Sequence, residues 1–146
     1  MYYLDTSVLL AYTLAQAVEP QRYEATRRCI NQLQAQPGSM VTSFYALHEV
    51  FLFALDQAPT EELGNTFGKT ALTEILALPV RVLPLLSRTE RTAHIKKFAA
   101  LEDSTDVPHA ISAYLSNCRV IVAYDEHFKK LPPLLSYRTP EQLLVP

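Results

Sequence analysis

Four carboxylates, Asp5, Glu49, Asp106 and Asp125, stand where an α/β chain brings side chains together. Asp5 closes the apolar run Tyr2-Tyr3-Leu4, and Asp125 closes Val120-Ile121-Val122-Ala123-Tyr124. Asp106 falls in the first turn of one predicted helix, and Glu49 lies inside another. The chain has only five aspartates, so three at such positions form a pattern worth testing. Converging like charges repel, by about 4 kcal/mol for a pair at about 4 Å and an effective dielectric of about 20. Such a cluster needs a proton, a basic partner or a divalent cation. Few basic residues lie near these acids in the sequence, which favours the cation. Carboxylates and waters suit the hard ions Mg²⁺ and Mn²⁺. An ion held there lowers the pKa of a bound water, polarises a phosphoryl oxygen and stabilises a leaving alkoxide. That is the chemistry of phosphodiester hydrolysis. It requires no Ser, Cys or His nucleophile, and attack by water leaves a 5′-phosphate and a 3′-hydroxyl.

The elements that must position these acids alternate between strand and helix. Met1–Asp5 reads as a strand, followed by a helix through Val8–Tyr12 with Thr6 or Ser7 as its cap. Pro20 opens a helix that carries Ala25, Cys29 and Leu33 at helical spacing and ends at Pro37-Gly38. Met40–Thr42 is a short strand, and Ser43 caps the next helix, which carries Leu47, Val50, Phe51 and Ala54. Thr60-Glu61-Glu62 opens another helix, which Pro79 stops. Val80–Leu83 reads as a strand. Ser87-Arg88-Thr89-Glu90 forms a capping box for a helix to about Leu101. A helix follows near Thr105–Asn117, with Pro108 tolerated in its first turn. Arg119–Tyr124 is the clearest strand, Pro132-Pro133 marks a loop, and Thr139-Pro140-Glu141-Gln142 starts a last short helix. The alternation predicts an α/β fold: a three-layer sandwich with a central parallel sheet of four to five strands flanked by helices. Residues 1–146 read as one domain without repeats or linkers.

Composition narrows the setting. An apolar fraction of 49% and a charged fraction of 19% suit a globular chain that buries its own core. The net charge of −2 excludes a broadly basic nucleic-acid binder, so any such contact must use local patches such as Lys96-Lys97 and Lys129-Lys130. Cys29 and Cys118 lack metal-ligand spacing and sit on apolar helical patterns, which predicts buried free thiols and a reducing compartment. Neither a leader pattern nor an 18-residue apolar run is found, so the expectation is a cytoplasmic protein away from membranes.

Three local patterns and one helical acid resemble the PIN-domain family, in particular its small toxin ribonucleases of the VapC type. Tyr3-Leu4-Asp5-Thr6-Ser7-Val8-Leu9 is similar to the family's opening, an apolar strand ending in Asp before a hydroxyl pair. Ser43 through Glu49 is similar to its second element. Asp106-Val107-Pro108-His109-Ala110 matches an acidic helix start followed by His-Ala. Val122-Ala123-Tyr124-Asp125-Glu126-His127-Phe128 is similar to its last strand, Asp, and Phe three residues on. The resemblance implies a Mg²⁺- or Mn²⁺-dependent endoribonuclease, with Asp5, Glu49, Asp106 and Asp125 as catalytic metal ligands. It further implies RNA as substrate and an antitoxin protein as partner. A catalytically weak or inactive PIN-fold module that binds RNA or protein is the alternative.

The chain departs from that pattern at Ala123, where a hydroxyl is common, at His127, where a further acid is common, and at Pro108. Asp103, three residues before Asp106, stands where it can replace a ligand or cap the helix. His109 shares a helix side with Asp106, which fits a hydrogen-bonded core residue better than a general base. Lys129 and Lys130, just past Asp125, are candidates for phosphate contact. The run Phe51-Leu52-Phe53 with Leu55 exceeds what one buried stripe needs, which predicts a surface for a second copy, as in a homodimer, or for an antitoxin segment. A phospho-receiver domain would need an acidic pair after the first strand, and a haloacid-type phosphatase a second Asp two residues after the first; Thr6 and Ser7 stand there instead.

Overall fold

A computed structural model describes residues 1–144. Five strands form one fully parallel sheet in the order β3-β2-β1-β4-β5. They are β1 (Tyr2–Leu4), β2 (Met40–Ser43), β3 (Val80–Leu83), β4 (Val120–Val122) and β5 (Ser136–Arg138). The helices are α1 (Thr6–Thr13), α2 (Pro20–Gln34), α3 (Phe44–Gln57), α4 (Glu61–Leu76), α5 (Arg88–His94), α6 (Asp106–Leu115) and α7 (Pro140–Leu144).

Successive side chains of β1 point to opposite faces, and each face nucleates its own core. Leu4 joins Val8, Leu9, Ile30, Val50 and Val122 in one layer. Tyr3 joins Phe98, Ala110, Ile111, Ile121 and Phe128 in the other. The sheet between them completes the three-layer sandwich. β1 is central because it is bonded on both sides, to β2 and to β4. Strand order reverses between β1 and β4, and in open α/β sheets that switch point opens a crevice at the carboxyl ends of the strands. Asp5 and Asp125 therefore emerge side by side, with the Asp5 amide donating to the Val122 carbonyl at 3.0 Å.

Several helix starts follow the sequence. Ser43 accepts from the Ala46 amide, Thr60 from that of Leu63, and Ser87 and Glu90 close a full capping box. Thr139 and Gln142 exchange the equivalent bonds at the start of α7. Three details differ from expectation. Asp5 itself caps α1, accepting from the Ser7 amide, because its carboxylate reaches the orphan donors that Thr6 or Ser7 would have served. The helix from Ser87 ends at His94 and tightens into a 3₁₀ turn, Ile95–Phe98, which seats Phe98 fully inside the second core. The fifth strand, Ser136-Tyr137-Arg138, is an edge strand of three residues with no apolar run to announce it. No described helix is long and apolar enough to cross a membrane.

Candidate functional site

The four acids meet at the carboxyl end of the sheet. Asp5 leaves β1 and is 5% exposed. Its Oδ2 accepts from the Ser7 amide at 3.0 Å and the Ser7 hydroxyl at 2.6 Å. The same hydroxyl accepts from the Tyr124 amide at 2.9 Å, so Ser7 ties the end of β1 to the segment leading to Asp125. Glu49 projects from α3 and accepts a hydrogen bond from the Thr6 hydroxyl.

His109, on α6 and 1% exposed, lies among these acids. Its Nε2 is 3.1 Å from Glu49 Oε1, and its Nδ1 is 2.8 Å from the Tyr3 hydroxyl and 3.7 Å from Asp5 Oδ1. A carboxylate only accepts, so Nε2 carries a proton. In the neutral ring Nδ1 then accepts from Tyr3, whose oxygen in turn lies 2.6 Å from the Ser43 hydroxyl. Burial opposes a charge on His109, but the Glu49 hydrogen bond and the Asp5, Glu49 and Asp106 charges outweigh it and raise its pKa. Burial likewise works against the Glu49 carboxylate, yet His109 and Thr6 hold its pKa below the usual range. Burial raises the Tyr3 hydroxyl well above its ordinary value, so it serves as a neutral link.

Asp106 has the opposite balance. Burial, then the charges of Asp125, Asp5 and Asp103, push its pKa up to about 6, with His109 opposing. Its Oδ2 is buried and has no hydrogen-bond partner among the described residues. It faces His127 Nδ1 at 3.6 Å. Asp125 caps the 3₁₀ turn Glu126–Lys130, accepting from the His127 amide at 2.9 Å, and its Oδ1 lies 3.2 Å from His127 Nδ1. Asp103 accepts from the amide and hydroxyl of Thr105 at 2.8 and 2.7 Å, as a loop cap does. A crowded, desolvated set of hard oxygens with an unbonded carboxylate oxygen fits a divalent cation.

His109 is the largest omission of the sequence reading, which sought basic partners near the acids in the chain and found few. The signal was its place three residues after Asp106. His127 is also drawn in, between Asp106 and Asp125. Ala123 is buried in the second core and contributes no hydroxyl. The nearby lysines are engaged: Lys129 pairs with Glu126 at 2.7 Å and Lys130 pairs with Glu102. These pairs are exposed and therefore weak, so they leave phosphate contact open without marking it. Tyr124 bonds Thr26 and Glu141, each at 3.0 Å, and so braces α2 against α7.

Beside the acids runs an apolar groove of about 610 Å³ between α1, α3 and α4, lined by Leu10, Leu14, Val18, Phe53 and Phe67 among others. It reaches Ser7, the residue that fixes Asp5. Phe44, Leu52, Phe53 and Phe67 are all more than 40% exposed.

A family model described as the PIN domain matches residues 2–133. Comparison with curated proteins gives no significant match. Solved structures share the fold at low identity. The structure of VapBC2 from Rickettsia felis bound to a promoter DNA fragment aligns over 94% of this chain and 97% of that one, with a TM-score of 0.64 and 14% identity. The Sarcin-Ricin loop cleaving toxin VapC20 from Mycobacterium tuberculosis aligns over 86% and 90%, with a TM-score of 0.64 and 19% identity. VapBC-1 from nontypeable Haemophilus influenzae aligns over 95% and 97%, with a TM-score of 0.61 and 20% identity.

Proposed function

The chain belongs to the PIN-domain family, and from that premise we propose that it is a Mg²⁺- or Mn²⁺-dependent endoribonuclease, the toxin of a toxin–antitoxin pair. Asp5, Glu49, Asp106 and Asp125 hold the cation. The observation that carries this reading is Asp106: a buried carboxylate, pushed up to about 6 by burial and by Asp125 and Asp5, with an unbonded oxygen in the crevice. A folded protein gains nothing from that repulsion unless a ligand relieves it. When bound, the cation supplies an activated water and charge stabilisation on the phosphoryl group.

The chain's own residues set the geometry. Ser7 holds Asp5 in place through two hydrogen bonds, and Thr6 and His109 hold Glu49 from either side. Asp125 and His127 are partly exposed and stand at the open side, where a backbone phosphate approaches. The apolar groove ending at Ser7 suits an amphipathic antitoxin segment, which would cover the crevice. Solved relatives include VapBC assemblies, which supports such a partner. The exposed phenylalanines and leucines of α3 and α4 also suit a homodimer. Buried free Cys29 and Cys118 accord with a reducing cytoplasm.

The test is cleavage of RNA by the purified, partner-free chain with Mn²⁺ and then with EDTA. Metal-dependent cuts bearing 5′-phosphate ends are expected. RNA binding without any cleavage, in either condition, would favour the non-catalytic module instead.

A further inference from the structure

Asp103, Asp106 and His127 each offer a ligand atom, and these atoms lie within 4.8 Å of one another. First-row divalent ions with bonds of about 2.1 Å hold adjacent ligands about 3 Å apart, so small side-chain rotations close this triangle. Two independent features aim it at a ligand. Asp106 is 8% exposed, and its Oδ2 has no hydrogen-bond partner among the described residues although it faces the imidazole. Asp103 spends its Oδ1 on Thr105, which pins the carboxylate and leaves its other oxygen to point elsewhere.

We propose that Asp103, Asp106 and His127 form a second cation site with a nitrogen donor, sharing Asp106 with the four-acid cluster. This rests on reading that cluster as a metal centre. The two positions differ in chemistry. Asp5, Glu49 and Asp125 add oxygen donors, which suit Mg²⁺. The outer position adds an imidazole, which shifts preference toward Mn²⁺, Zn²⁺ and other first-row transition ions. His127 is half exposed on its 3₁₀ turn, so the outer ion sits at the mouth of the crevice. Its charge there offsets the acids' repulsion of an incoming phosphate. In the metal-free chain the Nδ1 atom rests 3.2 Å from Asp125, a contact that ligation would replace.

The experiment is a Mn²⁺ titration of the full chain, with bound ions counted and the nitrogen coupling of bound Mn²⁺ read by pulsed electron paramagnetic resonance. Wild type should take up two ions and show imidazole ¹⁴N modulation. His127→Gln should lose the modulation and weaken the second ion about tenfold or more. His109→Gln should retain the modulation, and His127→Asp should keep the second ion while losing it. Thermal melts of each variant confirm that it is folded. Uptake with oxygen coordination only, or modulation that survives His127→Gln, would overturn the second site and leave the four-acid centre standing. No uptake of Mn²⁺ at all would overturn both.

Discussion

The Nε2 of His109 lies 3.1 Å from Glu49 Oε1 across 60 residues of sequence, and it joins two of the four acids without any ion. Through Nδ1 the ring also reaches Tyr3 and the Asp5 carboxylate. His109 thus fixes the acids' geometry before a ligand arrives. Replacing it with Leu strands the Tyr3 hydroxyl and Glu49 together. Each buried group left unpaired costs about 1–3 kcal/mol. The His109→Leu variant should therefore unfold at clearly lower urea, while Tyr3→Phe should lose less. Equal midpoints for wild type and His109→Leu would show that this network carries no stability.

Asp106 makes stability depend on pH in the metal-free chain. Its pKa is raised from 3.8 to about 6, so the folded state binds the proton more tightly than the unfolded state. Stability from this group is present at low pH and falls as pH rises between about 4 and 6. A shift of about two units amounts to roughly 2–3 kcal/mol. In EDTA, Asp106→Asn should be more stable than wild type at pH 7.5, and the gap should close toward pH 4. A variant less stable at every pH would show that Asp106 is satisfied by something other than a cation.

Added Mn²⁺ should reverse that order. Binding only to the folded state raises the melting temperature by mass action. Asp5→Asn combined with Asp106→Asn should abolish the rise. An unchanged rise in the double variant would place the ion elsewhere.

The α3–α4 hairpin that borders the groove depends on glycine at a close approach. A Cβ on Gly64 would sit 2.8 Å from Leu55 Cα and 3.2 Å from the Ala54 carbonyl. Alanine gains about 1 kcal/mol in helix propensity, but overpacking costs about 1–3 kcal/mol. Gly64→Ala should therefore lower the urea midpoint. A higher midpoint would mean that the two helices separate at little cost.

Much of this arrangement is written in local pattern. Strand-ending acids, the Ser87 box and the β-branched run at Val120–Val122 depend on neighbours in the chain, and each appears where the pattern places it. β5 was not legible because three residues at a sheet edge need no apolar alternation. The tie between His109 and Glu49 was not legible because it is a tertiary contact between two helices, and spacing within either one is silent about it. The cap of α1 was misassigned for a related reason: a residue that could hold a metal was not weighed as the donor-satisfying oxygen. Lys129 and Lys130 show the same limit, since their acids lie at Glu126 nearby and at Glu102 far back in the chain.

The central claim is that the converged acids hold a cation that cleaves RNA, and Asp125 tests it most directly. Asp125 is the most accessible of the aspartates among the four, so its amide variant should fold normally. The measurement is the single-turnover cleavage rate of an end-labelled RNA in Mn²⁺, for wild type and Asp125→Asn, with melting curves for both. The account predicts an intact melt and a rate reduced by orders of magnitude. A wild-type rate in Asp125→Asn would contradict it.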